Sequence, residues 1–239
     1  MKTLEMGLPT GIEWIDAEDE VLLGEALAAA VAAELEGGLA DAERVTLVVS
    51  GGSTPLPFLK ALSQIRLPWQ RVDVVLADER WVAEFDPASN AAQVRRHLIQ
   101  NQAARATLVP FKQPGDLDAE ACAVVESQLQ ELAWPATAVV LGMGKDGHTA
   151  SLFADAPQLD TGLDPNTSAR VAMMTPPSQD HARMTLTRNV LQSGTTRFLH
   201  IRGDDKLRAL RHACEDLDNV EAMPVRAFLN AGLRIYWSP

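Results

Sequence analysis

Asp146 and His148 are the residues of this chain best placed to move protons, because they stand one residue apart in a glycine-rich segment. The apolar run at residues 138–141 leads into this segment, which holds Gly142, Gly144 and Gly147. Glycine lets a backbone turn sharply and approach a ligand closely, and histidine exchanges protons near neutral pH. The pattern predicts a buried strand, a turn carrying both side chains and the start of a helix. An isolated Asp-Gly-His fits a plain turn with a surface histidine equally well.

A second segment, residues 50–55, has the composition of an anion-binding turn. It follows the β-branched run at residues 45–49 and precedes a predicted helix at residues 56–64. Backbone N–H groups and hydroxyls at such a position can hold an anion, and the candidates are Gly51, Gly52, Ser53 and Thr54. The segment matches neither the dinucleotide fingerprint nor the Walker A loop. A plain turn between strand and helix is the alternative.

Charged residues follow the next buried-type strand, at residues 72–77. Ligands of open α/β sheets bind outside the carboxyl ends of the strands, so Asp78 and Arg80 are expected in the same cleft as residues 51–54. Arg183 and Lys206 stand beside later predicted loops, where they could close on an anion. Taken singly, the charged triplet fits a solvated loop or an ion pair, and each late cation fits a surface residue.

Strands and helices alternate along the chain. Strands are predicted at residues 11–15, 45–49, 72–77, 108–111, 138–141, 170–174, 184–187, 197–202 and 233–237. Helices are predicted from Asp16 to about residue 36 with a stop at Gly37-Gly38, at 56–64, at 90–99, from Asp116 to about residue 133, and at 204–213. This alternation predicts one α/β domain over residues 1–239 with a mostly parallel sheet. Residues 155–168 are predicted to form a long loop, of a kind that often contributes to a binding site or a lid.

Composition narrows the class of partner. The 239 residues carry 32 acidic and 21 basic side chains, a formal net charge of −11, which argues against nucleic acid or an anionic membrane surface. A small anionic ligand is compatible, because a few cations can dominate one pocket. Cys122 and Cys214 favour free thiols in a reducing compartment over a disulfide. Residues 1–10 lack a secretory pattern, and no apolar run approaches the ~20 residues that span a bilayer, so a cytoplasmic protein is expected.

These motifs together resemble a known family. Residues 50–55, 78–82, 89–90 and 141–153, followed by Arg183-Met184-Thr185-Leu186-Thr187, are similar in order and spacing to the 6-phosphogluconolactonases of the pentose phosphate pathway. The similarity extends over nearly the full length of the chain. It implies a three-layer, modified Rossmann-type fold like that of glucosamine-6-phosphate deaminase and ribose-5-phosphate isomerase.

The resemblance also implies an activity and a set of roles. The reaction is hydrolysis of 6-phospho-D-glucono-1,5-lactone to 6-phospho-D-gluconate, with no metal and no organic cofactor. His148 is implied as the catalytic base, and Asp78 and Arg80 as organisers of the site. The residues implied to hold the phosphate are Gly52, Ser53, Thr54, Arg183 and Lys206.

Lactone opening fits these residues chemically. Neutral His148 can take the proton of an attacking water, a role worth ~10²–10⁴ in rate, while either Asp146 or Asp78 fixes its tautomer. Glycine-loop N–H groups or Arg80 can stabilise the oxyanion. The sequence has no Gly-x-Ser-x-Gly elbow for a covalent acyl-enzyme and no HExxH or paired CxxC for zinc.

Two other functions compete with the lactonase. One is an isomerase or deaminase of amino-sugar phosphates, whose similar loop carries a glutamate five residues after the histidine, where this chain has Phe153. The other is a non-catalytic sugar-phosphate sensor. The expected partner in each case is a small phosphorylated sugar, with no nucleic acid and no membrane, and the chain is expected to be a monomer or a weak homo-oligomer.

Overall fold

The computed structural model describes residues 6–239, and the first five residues of the segment tested above for a secretory pattern lie outside that range. Ten strands are present in this part of the chain: β1 (Glu13–Asp16), β2 (Val45–Val49), β3 (Val72–Leu76), β4 (Asp78–Arg80), β5 (Thr107–Val109), β6 (Ala138–Leu141), β7 (Val171–Met174), β8 (Arg183–Leu186), β9 (Thr196–Arg202) and β10 (Leu233–Ser238). Seven of them form one sheet in the order β1-β10-β9-β6-β2-β3-β5. Every pairing in this sheet is parallel.

The α-helices of the described chain are α1 (Glu20–Asp41), α2 (Leu56–Ser63), α3 (Asn90–His97), α4 (Ala119–Gln130), α5 (Leu159–Leu163), α6 (Arg188–Ser193) and α7 (Asp204–Ala213). Short 3-10 helices occur at Trp69–Arg71, Asn101–Arg105 and Pro224–Phe228. Glu34 of α1 accepts hydrogen bonds from Thr196 and Arg234 on one face of the sheet. Gly194, directly after α6, packs on Val139, whose side chain points to the other face. Helices therefore cover both faces, and the predicted fold class is confirmed.

Strands β2, β3 and β6 are buried along their whole length, as continuous β-branched and apolar runs predict for a parallel sheet covered on both faces. Their few polar side chains are hydrogen-bonded. The hydroxyl of Thr46 donates to the carbonyl of Ala133 at 2.7 Å, and Arg44 Nε donates to the Asp73 carboxylate at 2.9 Å. This rigid centre fixes the strand ends at which the charged segments begin.

The main differences from the predicted helices lie at their ends. Helix α1 is capped by Asp19, which accepts from the N–H groups of Val21 and Leu22, while Asp16 stays in β1. The helix also runs through Gly37-Gly38 to Asp41. Helix α4 is capped by Asp118 and ends at Gln130, so the predictions that Asp16 and Asp116 cap these helices were wrong by two or three residues.

A second sheet was not expected. Strands β4, β8 and β7 pair antiparallel in that order, so the charged triplet Asp78–Arg80 is a strand rather than a solvated loop. The helix predicted directly after the Asp-Gly-His motif is absent, since residues 149–158 form turns and an isolated bridge, and α5 begins only at Leu159. Cys122 and Cys214 are free thiols. Among the described helices, none has the length and apolar character to cross a bilayer.

Candidate active site

A cavity of about 260 Å³ opens at the carboxyl ends of β2, β6 and β9, beside the small antiparallel sheet. Its wall contains nine of the ten residues selected from the sequence: Gly51, Gly52, Ser53, Thr54, Asp78, Arg80, His148, Arg183 and Lys206. The tenth, Asp146, lies directly behind His148. Residues separated by more than 150 positions in the chain thus meet in one cleft, at the sheet edge where α/β folds bind ligands.

His148 is paired with Asp146. Its Nδ1 lies 2.6 Å from Asp146 Oδ1, and its backbone N–H donates to the same oxygen at 3.3 Å. The imidazole is 29% exposed and the carboxylate 56% exposed. Burial works against ionisation of Asp146, but the hydrogen bond and charge of His148 outweigh it and hold the pKa of the carboxyl below its ordinary value. With Nδ1 engaged, Nε2 is the nitrogen of His148 that can serve a ligand.

The glycines around this pair are required by space. A Cβ at Gly144 would overlap both the imidazole of His148 and the carboxylate of Asp146. The Gly144 N–H also donates to the carbonyl of His148 at 2.8 Å, which closes the turn. The loop is tied to the distant 3-10 helix Pro224–Phe228 by a 2.9 Å hydrogen bond from the Val225 N–H to the carbonyl of Gly147.

Phe153 packs against the same histidine. The two rings are stacked, with 4.0 Å between centroids and 26° between planes. The guanidinium carbon of Arg183 lies 5.0 Å from the centroid of Phe153. Phe153 is fully buried, so it holds a catalytic candidate and a cationic candidate in a fixed relation.

The Asp78 carboxylate has different neighbours. It accepts from Ser151 Oγ at 2.5 Å and from Asn90 Nδ2 at 3.3 Å, and Arg183 Nη1 lies 3.7 Å away. The side chains of Asp78 and Arg183 are each 8% exposed. The sequence left open which carboxylate orients His148, and the hydrogen bond to Nδ1 belongs to Asp146.

Arg80 and Arg183 form a cationic wall. They are directly opposed in the antiparallel register of β4 and β8, and the Nε of each is buried without a hydrogen-bond partner among residues 6–239. Burial lowers the pKa of Arg183, as does the nearby charge of Arg80, while Asp78 raises it. The Glu79 carboxylate accepts from the backbone N–H groups of Arg80, Asn90 and Ala91, and its charge, like that of Asp78, raises the pKa of Arg183.

The predicted anion-binding loop and Lys206 complete the cavity. The N–H of Gly52 donates to Gln93 Oε1 at 2.9 Å, and a Cβ at Gly51 would overlap the side chain of Asn90. Lys206 Nζ donates to the carbonyl of Met143 at 2.7 Å. Burial lowers the pKa of Lys206, which is opposed by the charge of Asp146. Loop, lysine and arginines together provide several donors for one anion.

Three cavity-related residues escaped the sequence reasoning. Asn90 was identified as the start of a helix and as part of the family pattern but was given no role, although it contacts both Asp78 and Gly51. Ser151 stands in the quoted motif, but nothing in its spacing predicts the bond to Asp78. His200 lies inside a strand and lines the cavity, where only the three-dimensional arrangement reveals it.

Comparison with known proteins identifies the family of the chain. The family model described as glucosamine-6-phosphate isomerases/6-phosphogluconolactonase matches residues 18–237. A 6-phosphogluconolactonase of Pseudomonas aeruginosa is 44% identical over 242 residues, covering 100% of both chains. One from Pseudomonas putida is 40% identical and covers 98% of this chain and 96% of its own.

Solved structures place the fold in the same group. The crystal structure of a 6-phosphogluconolactonase from Shewanella baltica has a TM-score of 0.93 and 34% sequence identity, covering 97% of this chain and 100% of the other. A monomeric glucosamine-6-phosphate deaminase shares the fold with a TM-score of 0.74 at 17% identity. The fold is therefore that of the 6-phosphogluconolactonase structure, and the deaminase shares it. The chain is a member of the glucosamine-6-phosphate isomerase/6-phosphogluconolactonase family, and the family resemblance drawn from the motifs is confirmed.

Proposed function

We propose that this protein hydrolyses 6-phospho-D-glucono-1,5-lactone to 6-phospho-D-gluconate, the reaction of the pentose phosphate pathway carried by its 6-phosphogluconolactonase relatives. One observation carries the mechanism. His148, paired with Asp146, stands on the wall of a cavity that also holds two opposed arginines, a half-buried lysine and a glycine-rich loop.

In the proposed mechanism His148 activates water. Its Nε2 takes a proton while the water oxygen bonds to the lactone carbonyl carbon, and the Asp146 carboxylate stabilises the imidazolium through Nδ1. The resulting oxyanion is stabilised by the Arg80 guanidinium or by N–H groups of the glycine loop. Collapse of the tetrahedral intermediate breaks the bond to the ring oxygen, which receives the proton from His148. The product acid then ionises in water.

The phosphate is held away from the reacting carbon. Arg183, Lys206 and the turn at residues 51–54 bind its oxygens, so binding energy from the non-reacting end positions the lactone ring. Asp78 orients Arg183 and is itself fixed by Ser151 and Asn90. Acyl transfer to water exchanges no electrons, so the proposed reaction balances without a redox cofactor.

Phe153 separates this function from amino-sugar deamination. A carboxylate at that position would be the acid for ring opening, and this chain has a stacked aromatic ring there instead. We further propose that the protein acts in the cytoplasm as a monomer or weak homo-oligomer, on the sequence arguments given above.

The direct test uses lactone freshly made by glucose-6-phosphate dehydrogenase, with acid release followed above the spontaneous background. We expect His148→Gln to lower kcat by ~10²-fold or more without unfolding the chain. His212→Gln is the matched control, because His212 also pairs with a carboxylate, at 2.8 Å from Glu215, but on an exposed surface. Turnover of the His148 variant at the rate of the control would contradict the proposed base, and ammonia release from glucosamine 6-phosphate would contradict the proposed reaction.

A further inference from the structure

His200 is a buried histidine in the cavity wall to which no role has been given. All five histidines of the chain lie in the described range, and His200 is the one that is buried, at 3% exposure. It lies in β9 and meets Phe58 of α2 edge-on, with 6.3 Å between ring centroids and 81° between planes. The imidazole is therefore held rigidly while one edge lines the cavity.

The hydrogen bonding of this ring is incomplete. Nδ1 is enclosed and has no partner among residues 6–239. Burial lowers the pKa of His200 to about 4, so the ring is neutral near pH 7 and carries one N–H. A donor enclosed without an acceptor is costly, which favours the tautomer with a bare Nδ1 and the hydrogen on Nε2. The remaining donor of the ring is then available to a ligand in the cavity.

The surroundings of His200 belong to the phosphate end of the cleft. Phe58 stands in the first turn of α2, the helix that the loop at residues 51–55 introduces. Lys206 follows on α7, which begins shortly after β9 ends. In the parallel register His200 is level with Tyr236, and its contact with Phe58 places its ring on the face of the sheet that α2 covers.

We propose that His200 binds the phosphate group of the substrate by donating its Nε2–H to a phosphate oxygen. The proposal rests on the function proposed above and adds a neutral donor to its phosphate site. Two positive charges, on Arg183 and Lys206, already match a dianion. A neutral imidazole contributes a directed hydrogen bond without adding a third charge to a buried site.

Steady-state kinetics with two variants tests this role. His200→Leu keeps an apolar filling next to Phe58 but removes the donor, and we expect KM for the phosphorylated lactone to rise about tenfold with kcat within about twofold of wild type. His200→Gln carries an amide NH₂ that reaches the Nε2 position, and we expect it to recover most of the loss in KM. An unchanged KM in the leucine variant, or equal KM values for both variants, would overturn the proposal.

A measurement on the unmodified protein avoids any dependence on how the variants fold. In ¹⁵N-labelled wild type titrated with inorganic phosphate, we expect the Nε2 resonance of His200 to shift together with the amides of Gly52, Ser53 and Thr54. Shifts of the loop amides with a silent His200, or no phosphate binding at all, would overturn the proposal. Wild type that binds phosphate through His200 but fails to hydrolyse the lactone would refute the proposed function and leave the binding role of His200 standing.

Discussion

The ring of Phe153 lies stacked on the imidazole of His148 with 4.0 Å between their centroids. The histidine is thus fixed on two sides, by Asp146 at Nδ1 and by an aromatic face. This contact places Phe153, the residue proposed to separate the chain from the deaminases, directly against the proposed base.

Replacing Phe153 by leucine should separate the orienting effect of the stacked ring on His148 from the contribution of Phe153 to packing of the core. Loss of a stacked pair costs about 0.5–1.5 kcal/mol beyond buried area, and we expect kcat to fall roughly three- to tenfold because the imidazole is less well oriented. Phe111→Leu is the control, since Phe111 is equally buried but is not the ring stacked on His148. Both variants should lose similar thermal stability, and equal kcat in the two would remove the orienting role of Phe153.

Gly144→Ala should disable the site without disturbing the fold. The added methyl group would overlap His148 and Asp146, and we expect kcat to fall at least about tenfold as the pair is forced apart. Gly37→Ala is the matched control: its Cβ meets nothing within 4 Å, and the helix should gain up to about 1 kcal/mol. Wild-type kcat for Gly144→Ala would show that the 2.6 Å pair is not needed.

Asp146→Asn should preserve the shape of the loop and reverse its hydrogen bonding. An amide that donates to Nδ1 places the proton on Nε2, the nitrogen that must accept from water, so we expect kcat to fall on the order of 10²–10⁴-fold. The control is Glu215→Gln, which alters the exposed His212 pair in the same way. Kinetics across pH 5–9 will show whether the loss persists at every pH, as a tautomer defect requires.

Arg183→Lys should affect binding more than chemistry. Arg183 lies 3.7 Å from Asp78 and 5.0 Å from the Phe153 ring, and a lysine ammonium cannot reproduce its planar fork. We expect KM to rise about 10- to 100-fold, with a much smaller change in kcat. Arg183→Met should in addition lower the thermal stability, because it leaves the buried Asp78 without its cation. An unchanged KM in both variants would contradict the phosphate assignment.

His200 makes a signed prediction for stability against pH. Burial lowers its pKa from 6.5 to about 4 in the folded protein, so the unfolded chain binds a proton between these values that the folded chain does not. The contribution of His200 to the free energy of unfolding is complete above pH 6.5. It falls as the pH drops towards 4, with a slope of up to about 1.4 kcal/mol per pH unit. The free energies of unfolding of wild type and His200→Gln, measured by urea denaturation, should converge as the pH is lowered. Parallel curves would indicate that His200 has the same pKa in the folded and unfolded chain, and would contradict the lowered value.

The sequence predicted those features that depend on local pattern. The buried runs at β2, β3 and β6 were located because parallel strands covered on both faces are continuously apolar, and the strand ends led to the residues that share the cavity. Helix starts were less well predicted: Asp16 and Asp19 are both able to cap, and only packing of β1 beside β10 keeps Asp16 in the strand. Gly37-Gly38 fails as a stop because Gly38 packs closely against Thr137 and Val45.

Features that arise between distant segments were not accessible from the sequence. Nothing local in Asp78–Arg80 predicts pairing with residues 183–185, more than 100 positions later. The same holds for the choice between Asp146 and Asp78 as the partner of His148, which depends on Ser151 and Asn90 occupying Asp78. The roles of these residues stay predictions until the variants are measured.

The two-sheet arrangement has a consequence for how the protein matures. Asp78, Arg80 and Arg183 come from the antiparallel sheet, whereas His148, Lys206 and the turn at residues 51–54 follow strands of the parallel one. A nascent chain that has assembled either sheet alone holds only one side of the cleft. Since the pairing of β4 with β8 joins distant parts of the chain, late and non-local contacts have to form before the cleft exists. After dilution from urea, recovery of lactone turnover would therefore report assembly of the whole molecule. Recovery of helix content would report assembly of only part of it.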